Sequence, residues 1–172
     1  MRVIDYINQG GPIMYILLLF NIIGFATIIY KIITITQEKK KMDNTTDQLA
    51  EMIKNSTSNN QVETMVELSK QELTCHMNHV ESGINTIKII ASISPLIGLL
   101  GTVIGVLVAF RVMSETGLNN PSNFAEGISM ALITTVGGLL VAIPHFMAHS
   151  YLLGMLDKLE ANLEKKLLIK LL

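Results

Sequence analysis

Three long stretches without an acidic or basic side chain constrain this chain more than any other feature. They cover residues 6–30, 89–110 and 127–156, and the third is interrupted only by the imidazoles of His145 and His149. An α-helix rises 1.5 Å per residue, so about 20 residues cross a hydrocarbon layer of ~30 Å. Each stretch is therefore long enough to form a transmembrane helix.

The composition agrees with a membrane protein and excludes several other classes. Apolar residues make up 49% of the chain and charged residues only 16%. The net charge of −1 offers no basic surface to nucleic acid, and the single cysteine, Cys75, cannot form an internal disulfide. No nucleophile is accompanied by a recognisable general base, so the sequence predicts neither an enzyme nor a cofactor site.

The basic residues near the span ends predict the orientation. They concentrate on the side of the membrane that holds residues 36–88 and the C-terminus, whereas the opposite side has only Arg2 and Arg111. Because lysine and arginine are enriched in cytoplasmic segments, we expect a periplasmic N-terminus and a cytoplasmic C-terminus. Lys31 interrupts span one, and we expect it to snorkel to the interface. The predicted cytoplasmic lysines are Lys39, Lys40, Lys41, Lys88, Lys158, Lys165, Lys166 and Lys170.

The predicted fold is an all-α integral membrane protein with cytoplasmic helical extensions. A polar run at 54–60 indicates a turn between two cytoplasmic helices. Leucines spaced by three or four residues in the tail predict an amphipathic helix that packs within the subunit. The predicted segments are the periplasmic N-terminus and transmembrane helix 1 (1–35), a cytoplasmic helical segment (36–88), transmembrane helix 2 (89–112), a periplasmic loop (113–126), transmembrane helix 3 (127–154) and a cytoplasmic amphipathic tail (155–172).

Small residues form a stripe on span two and another on span three. Such stripes allow helices to approach closely in lipid, and helix packing is one interpretation of them. The other interpretation is that they form the small-residue faces of a pore. The stripes comprise Gly101, Gly105 and Ala109 on span two, and Ala131, Thr135, Gly138 and Ala142 on span three.

Each stripe is accompanied by a hydroxyl at a similar depth. Thr102 lies eight residues below Phe110 and Thr135 lies eight below Gly127, which places each about 12 Å into the membrane. A hydroxyl both donates and accepts, so the pair is a candidate polar track for protons or water. Thr134 is a third candidate, although it points about 100° away from Thr135. The alternative is that these hydroxyls bond back to their own helices.

Spans two and three contain no Asp, Glu, Lys or Arg. An ion-driven machine needs a group whose charge changes within the membrane, so a partner would have to supply it. Glu126, at the outer start of span three, is a candidate acid for the mouth of a pore, or an interfacial acid near a helix start. His145 with His149, and Cys75 with His76 and His79, are weak metal candidates, and we predict no metal site.

Two long motifs carry a resemblance to a known family. The segment Ser94–Phe110, SPLIGLLGTVIGVLVAF, is similar to the second span of ExbB and TolQ proteins. The segment Gly127–Pro144, GISMALITTVGGLLVAIP, is similar to their third span, and Gly10-Gly11-Pro12 resembles the family's opening more loosely. The chain thus resembles the ExbB/TolQ/MotA family of ion-driven motor channels, and is most similar to ExbB.

The resemblance implies a pentameric ring in the bacterial inner membrane, with spans two and three around a central pore and span one facing lipid. It further implies that an ExbD-like single-span partner, whose membrane Asp carries the proton, occupies the pore. Thr102 and Thr135 match the family's pore threonines. Several members have Glu just before the Ala-Leu of span three where this chain has Met130, which puts a glutamate relay from this subunit in doubt.

These implications predict a subunit of a motor driven by the proton-motive force. With its partner it would energise a TonB-like or Tol-like protein for transport across, or maintenance of, the outer membrane. Two alternatives belong to other classes. One is a structural membrane scaffold in which the threonines only pack helices, and the other is a small independent ion channel or transporter.

Overall fold

The computed structural model describes residues 3–56, 62–117 and 121–171, and every regular element in that part of the chain is an α-helix. Three helices are long and apolar enough to cross a membrane, which confirms an all-α fold with three candidate spans. The helices are α1 (Val3–Gln9), α2 (Gly11–Lys40), α3 (Met42–Ser56), α4 (Val62–Glu81), α5 (Ile84–Thr116) and α6 (Pro121–Leu171). The candidate spans are α2, α5 and α6.

A glycine–proline junction separates the short helix α1 from α2. Gly11 has a φ of 66°, a left-handed conformation that glycine adopts without a steric cost. Pro12 follows in the first turn of α2, where its missing N–H breaks no helical hydrogen bond. The segment before span one therefore contains a helix of its own, a feature not predicted from the sequence.

Two predicted connections overlap with helical residues. Helix α5 continues to Thr116 and α6 begins at Pro121, so most of the described part of the predicted 113–126 loop is helical. The predicted turn at 54–60 falls largely on residues 57–61, which lie outside the described residues. Helix ends do not mark the limits of the hydrocarbon layer, so the segment boundaries within α2, α5 and α6 stay predictions.

The chain divides into two compact units, of which the first comprises Met1–Ala26 and Thr86–Ala148. Its core contains Ile13, Leu17, Ile90 and Val141, which come from α2, α5 and α6. Burial of such side chains against neighbouring helices provides the close packing that association in lipid requires. This unit contains the candidate threonines.

His145 is a fully buried histidine of this first unit. Its Nδ1 donates a hydrogen bond to the Val141 carbonyl oxygen at 2.6 Å, since a carbonyl can only accept. Its ring meets Phe25 edge-on, with centroids 5.0 Å apart. A Cβ on Gly24 would lie 2.0 Å from His145 Nε2, so this glycine provides the space for the imidazole. In this packing His145 is a contact between α2 and α6.

The second unit comprises Thr27–Asn85 and His149–Leu172. Its core joins Leu49, Ala50 and Ile53 of α3 to Leu167 of the tail. Lys166 pairs with Asp43 at 2.5 Å and lowers the pKa of that carboxyl, and Lys170 pairs with Asp47 one turn further along. The last part of α6 buries four of the leucines from which an amphipathic tail was predicted: Leu156, Leu159, Leu163 and Leu167.

Lys31, also in this second unit, does not extend to the surface. It is only 5% exposed, and its Nζ donates a 3.1 Å hydrogen bond to the carbonyl oxygen of Val80 in the last turn of α4. Helix C-terminal carbonyls are electronegative and unpaired, so a buried ammonium is stabilised there. The expectation that Lys31 snorkels is therefore wrong, because a nearer acceptor exists within the protein.

Candidate functional site

Helices α5 and α6 pack antiparallel with almost no side chain between their backbones. A Cβ on Gly105 would lie 2.6 Å from the Gly127 carbonyl oxygen, and a Cβ on Gly127 would lie 2.6 Å from that of Gly105. Further towards the other end of the pair, a Cβ on Gly98 would lie 2.9 Å from the Thr134 carbonyl oxygen, and a Cβ on Gly138 would lie 2.6 Å from that of Ser94. Only glycine permits this approach, because real Cβ atoms do not tolerate such distances.

The predicted small-residue faces lie in or beside this interface. Gly105 contacts Ala131, Ala109 contacts Gly127, and Gly138 contacts the Ser94 carbonyl. These contacts are those that the helix-packing interpretation of the stripes predicts. That the same residues also line a pore stays a prediction. The three alanines of the stripes are all buried: Ala109, Ala131 and Ala142.

Thr134 lies inside the helix pair, opposite Gly101. A Cβ on Gly101 would lie 2.2 Å from Thr134 Oγ1 and 2.4 Å from its Cβ. The side chain of Thr134 is fully buried, and its hydroxyl donates to the carbonyls of Met130 at 3.0 Å and Ala131 at 2.9 Å. Its place in a proton pathway stays a prediction, and in this position the hydroxyl is enclosed between α5 and α6.

Thr102 and Thr135 lie at one level and on one side of the pair. The Gly101–Thr134 contact fixes the level of the next residue on each helix. Each next residue turns about 100° around its own axis, and because the helices run in opposite directions both turns lead to the same side. Both side chains are partly exposed, in contrast to Thr134. The helix pair therefore presents two hydroxyls on a single surface.

Both hydroxyls donate to their own helix and keep their capacity to accept. Thr102 Oγ1 donates to the Leu99 carbonyl at 2.6 Å, and Thr135 Oγ1 donates to the Ala131 carbonyl at 3.2 Å. A hydroxyl that donates its one proton retains two lone pairs. Each threonine can therefore accept a hydrogen bond from water or from a protonated carboxyl that approaches this surface.

The other predicted candidates are dispersed. Glu126 is exposed, one turn before the partly buried Met130, whose Cε would lie 3.1 Å from a Cβ on Gly11. Its role at the mouth of a pore stays a prediction. Within residues 3–56, 62–117 and 121–171, no three His, Cys, Asp or Glu side chains converge on a point that could bind a metal ion.

Two glycines of the contact, Gly98 and Gly127, were not among the residues predicted from the sequence. Gly98 lies three residues before Gly101, and Gly127 lies four before Ala131, so both extend the small-residue stripes at helical spacing. This helical spacing could have identified both glycines from the sequence. Neither stripe alone, however, predicts which residue of the other helix each glycine contacts.

The sequence is similar to that of membrane transport proteins. A profile of the MotA/TolQ/ExbB proton channel family matches residues 34–165. A biopolymer transport protein ExbB homolog of Methanothermobacter thermautotrophicus is 43% identical over 47% of this chain. Biopolymer transport protein exbB1 of Vibrio cholerae is 40% identical over 50% of this chain. The Tol-Pal system protein TolQ of Haemophilus influenzae is 41% identical over 42% of this chain.

These similarities cover only part of each relative. The chain spans 28% of the Methanothermobacter protein, 38% of the Vibrio protein and 32% of the Haemophilus protein. The profile match begins in the second half of α2, and it includes both Gly101 and Thr134 and the two threonines that follow them. All of α5, and α6 as far as residue 165, therefore lie within the matched region, and so do all the close contacts described between them.

Proposed function

Since the chain belongs to the MotA/TolQ/ExbB proton channel family, we propose that it is the channel subunit of a membrane motor driven by the proton-motive force. It works as a channel and not as an enzyme. The observation that carries the proposal is the pair of hydroxyls, Thr102 and Thr135, at one level and on one exposed side of α5 and α6. Two hydroxyls that can each accept a hydrogen bond on one surface provide binding positions for a group that carries a proton.

The motor is a multi-pass inner-membrane ring, and each subunit directs its N-terminus to the periplasm. The excess of lysine on one side of the three candidate spans supports this orientation. A homo-oligomer, a pentamer in our proposal, brings the threonine surfaces of its subunits around a common lumen. Span one, which has many exposed apolar side chains between Tyr15 and Ile33, then faces lipid.

An ExbD-like single-span partner supplies the group that changes charge. Spans two and three contain no acidic or basic residue, so a membrane Asp of the partner carries the proton within the ring. An ionised carboxylate is costly in an apolar lumen, and protonation removes that cost. The threonines accept a hydrogen bond from the protonated Asp, and each protonation cycle lets the partner move against the ring.

The movement performs work on a third protein. In our proposal this is a TonB-like or Tol-like protein that reaches across the periplasm, which agrees with the names of the relatives as a biopolymer transport protein and a Tol-Pal system protein. The proposed work is transport across the outer membrane or its maintenance.

The test is the substitution Thr135→Val, which keeps the branched shape and removes the acceptor. We expect energised transport to fall to background while the ring still assembles, as measured by uptake in cells and by native mass spectrometry. The control is Thr36→Val, because the Thr36 hydroxyl makes the same kind of bond, to the Ile32 carbonyl at 2.6 Å, on an exposed position of α2. Full transport in the Thr135 variant would favour the scaffold alternative.

A further inference from the structure

The second unit contains a small cleft between α2 and α6, beyond the end of the exposed apolar side chains of these helices. It has a volume of about 180 Å³ and is open on one side. Lys39 of α2 and Lys158 of α6 both line it, and the floor is apolar. The other residues that line the cleft are the apolar Ile35, Met42, Met155 and Leu159 and the polar Asn162.

The two lysines have no partner in the described part of the chain. Both side chains are exposed, and neither makes an ion pair or hydrogen bond with residues 3–56, 62–117 or 121–171. Lys31 and Lys166 differ, since they bind the Val80 carbonyl and Asp43. No carboxylate is among the lining residues, so the cleft is positively charged.

The position of the cleft places it close to lipid head groups. The exposed apolar side chains of α2 end at Ile33, and those of α6 end at Tyr151 apart from Ile169 near the C-terminus. Lys39 follows Ile33 by six residues and Lys158 follows Tyr151 by seven, or about 9 Å and about 10.5 Å along the helix. A head-group layer is roughly 5–8 Å thick, and the flexible lysine stem extends towards it.

We propose that this cleft binds the head group of an anionic phospholipid. The two ammonium groups neutralise the phosphate, the Asn162 amide donates a hydrogen bond, and the apolar floor accommodates the glycerol and first methylenes. Basic pockets between helices at the membrane surface bind lipid head groups by this combination of charge and shape. The lipid thereby bridges α2 and α6 at the level where each leaves the membrane.

The experiment uses the full chain in detergent, titrated with palmitoyl-oleoyl-phosphatidylglycerol or palmitoyl-oleoyl-phosphatidylcholine and observed by native mass spectrometry. We expect phosphatidylglycerol to bind more tightly by about fivefold for each lysine, or roughly 25-fold for the pair. The double variant Lys39→Gln/Lys158→Gln should reduce this preference to less than about twofold, and Lys39→Arg/Lys158→Arg should retain it.

The matched control is Lys40→Gln/Lys165→Gln, which removes the same charge from exposed positions of the same helices that do not line the cleft. This variant should keep the preference. Three results would overturn the proposal: no preference in the natural chain, an equal loss in both double glutamine variants, or displacement of the lipid by millimolar inorganic phosphate, which would indicate a site for the free anion.

Discussion

At the scale of single residues, the helix pair depends on the absence of side chains at a few positions. Gly101 provides the space in which Thr134 is buried, and Gly24 does the same for the imidazole of His145. In both places a polar side chain occupies the space of a missing Cβ and bonds to a carbonyl of its own helix. Glycine costs helix stability, and the close packing that it permits compensates for this cost.

We predict that Gly101→Ala destabilises the chain by about 1–3 kcal/mol, because the added Cβ would lie 2.2 Å from Thr134 Oγ1. Thermal unfolding in detergent measures the change. The combined variant Gly101→Ala/Thr134→Gly should recover part of the loss, since the methyl group then replaces the side chain that it displaced.

The control for this substitution is Gly154→Ala. Gly154 also lies within a long helix, but a Cβ there would meet nothing within 4 Å. Alanine should stabilise that position by about 1 kcal/mol through helix propensity alone. If both alanine variants shifted the unfolding temperature in the same direction, close contact at Gly101 would not be the cause.

At the scale of elements, one buried charge connects two helices of the second unit. The Lys31 ammonium of α2 binds a carbonyl in the last turn of α4, and the turn that follows contains Gly83 with a φ of 91°. A Cβ on Gly83 would lie 3.2 Å from Lys31 Cε, so the turn and the lysine pack together. The end of α4 and the start of α5 are therefore positioned by a residue of span one.

We predict that Lys31→Gln loosens the last turn of α4, because it removes the charge that stabilises the helix C-terminus. The cost should be up to about 2 kcal/mol. Hydrogen–deuterium exchange should become faster at the end of α4, while Lys40→Gln, a substitution of an exposed lysine in the same helix, should leave exchange unchanged. Equal exchange in the two variants would show that the Lys31 contact adds no stability.

At the scale of the whole molecule, the candidate spans leave many large apolar side chains exposed. They occur on every one of the three long helices, for example at Ile22, Leu107 and Leu140. Lipid covers such surfaces, and in the proposed ring neighbouring subunits cover part of them. In that proposed ring each chain contributes one threonine surface, and only several chains together enclose the lumen.

We predict that the detergent-extracted chain is a closed homo-oligomer by native mass spectrometry. When it is co-expressed with an ExbD-like single-span protein from the same cell, the oligomer should retain a few partner copies, because the partner's Asp replaces the missing charge of the lumen. A monomer or dimer whose mass is unchanged by co-expression of the partner would instead support the structural scaffold or the independent transporter.

The sequence by itself determined the features that depend on local composition. Three uncharged runs were sufficient to predict three long apolar helices, and the leucine spacing predicted the packed tail. Residues Ser94–Phe110 and Gly127–Pro144 were sufficient to identify the family. The apolar helices and the tail follow from transfer free energies and helical periodicity, which depend only on short segments of sequence. The family was identified by the resemblance of the two motifs.

The tertiary structure decided which of the candidate hydroxyls is buried. Thr134 and Thr135 are adjacent in sequence and chemically identical, yet only the first is enclosed against Gly101. Lys31 likewise donates a hydrogen bond to the carbonyl oxygen of Val80, which is 49 residues away in the sequence. The physical reason is that a periodic pattern defines the faces of one helix, whereas the rotation of a helix against its neighbour depends on contacts between residues distant in sequence.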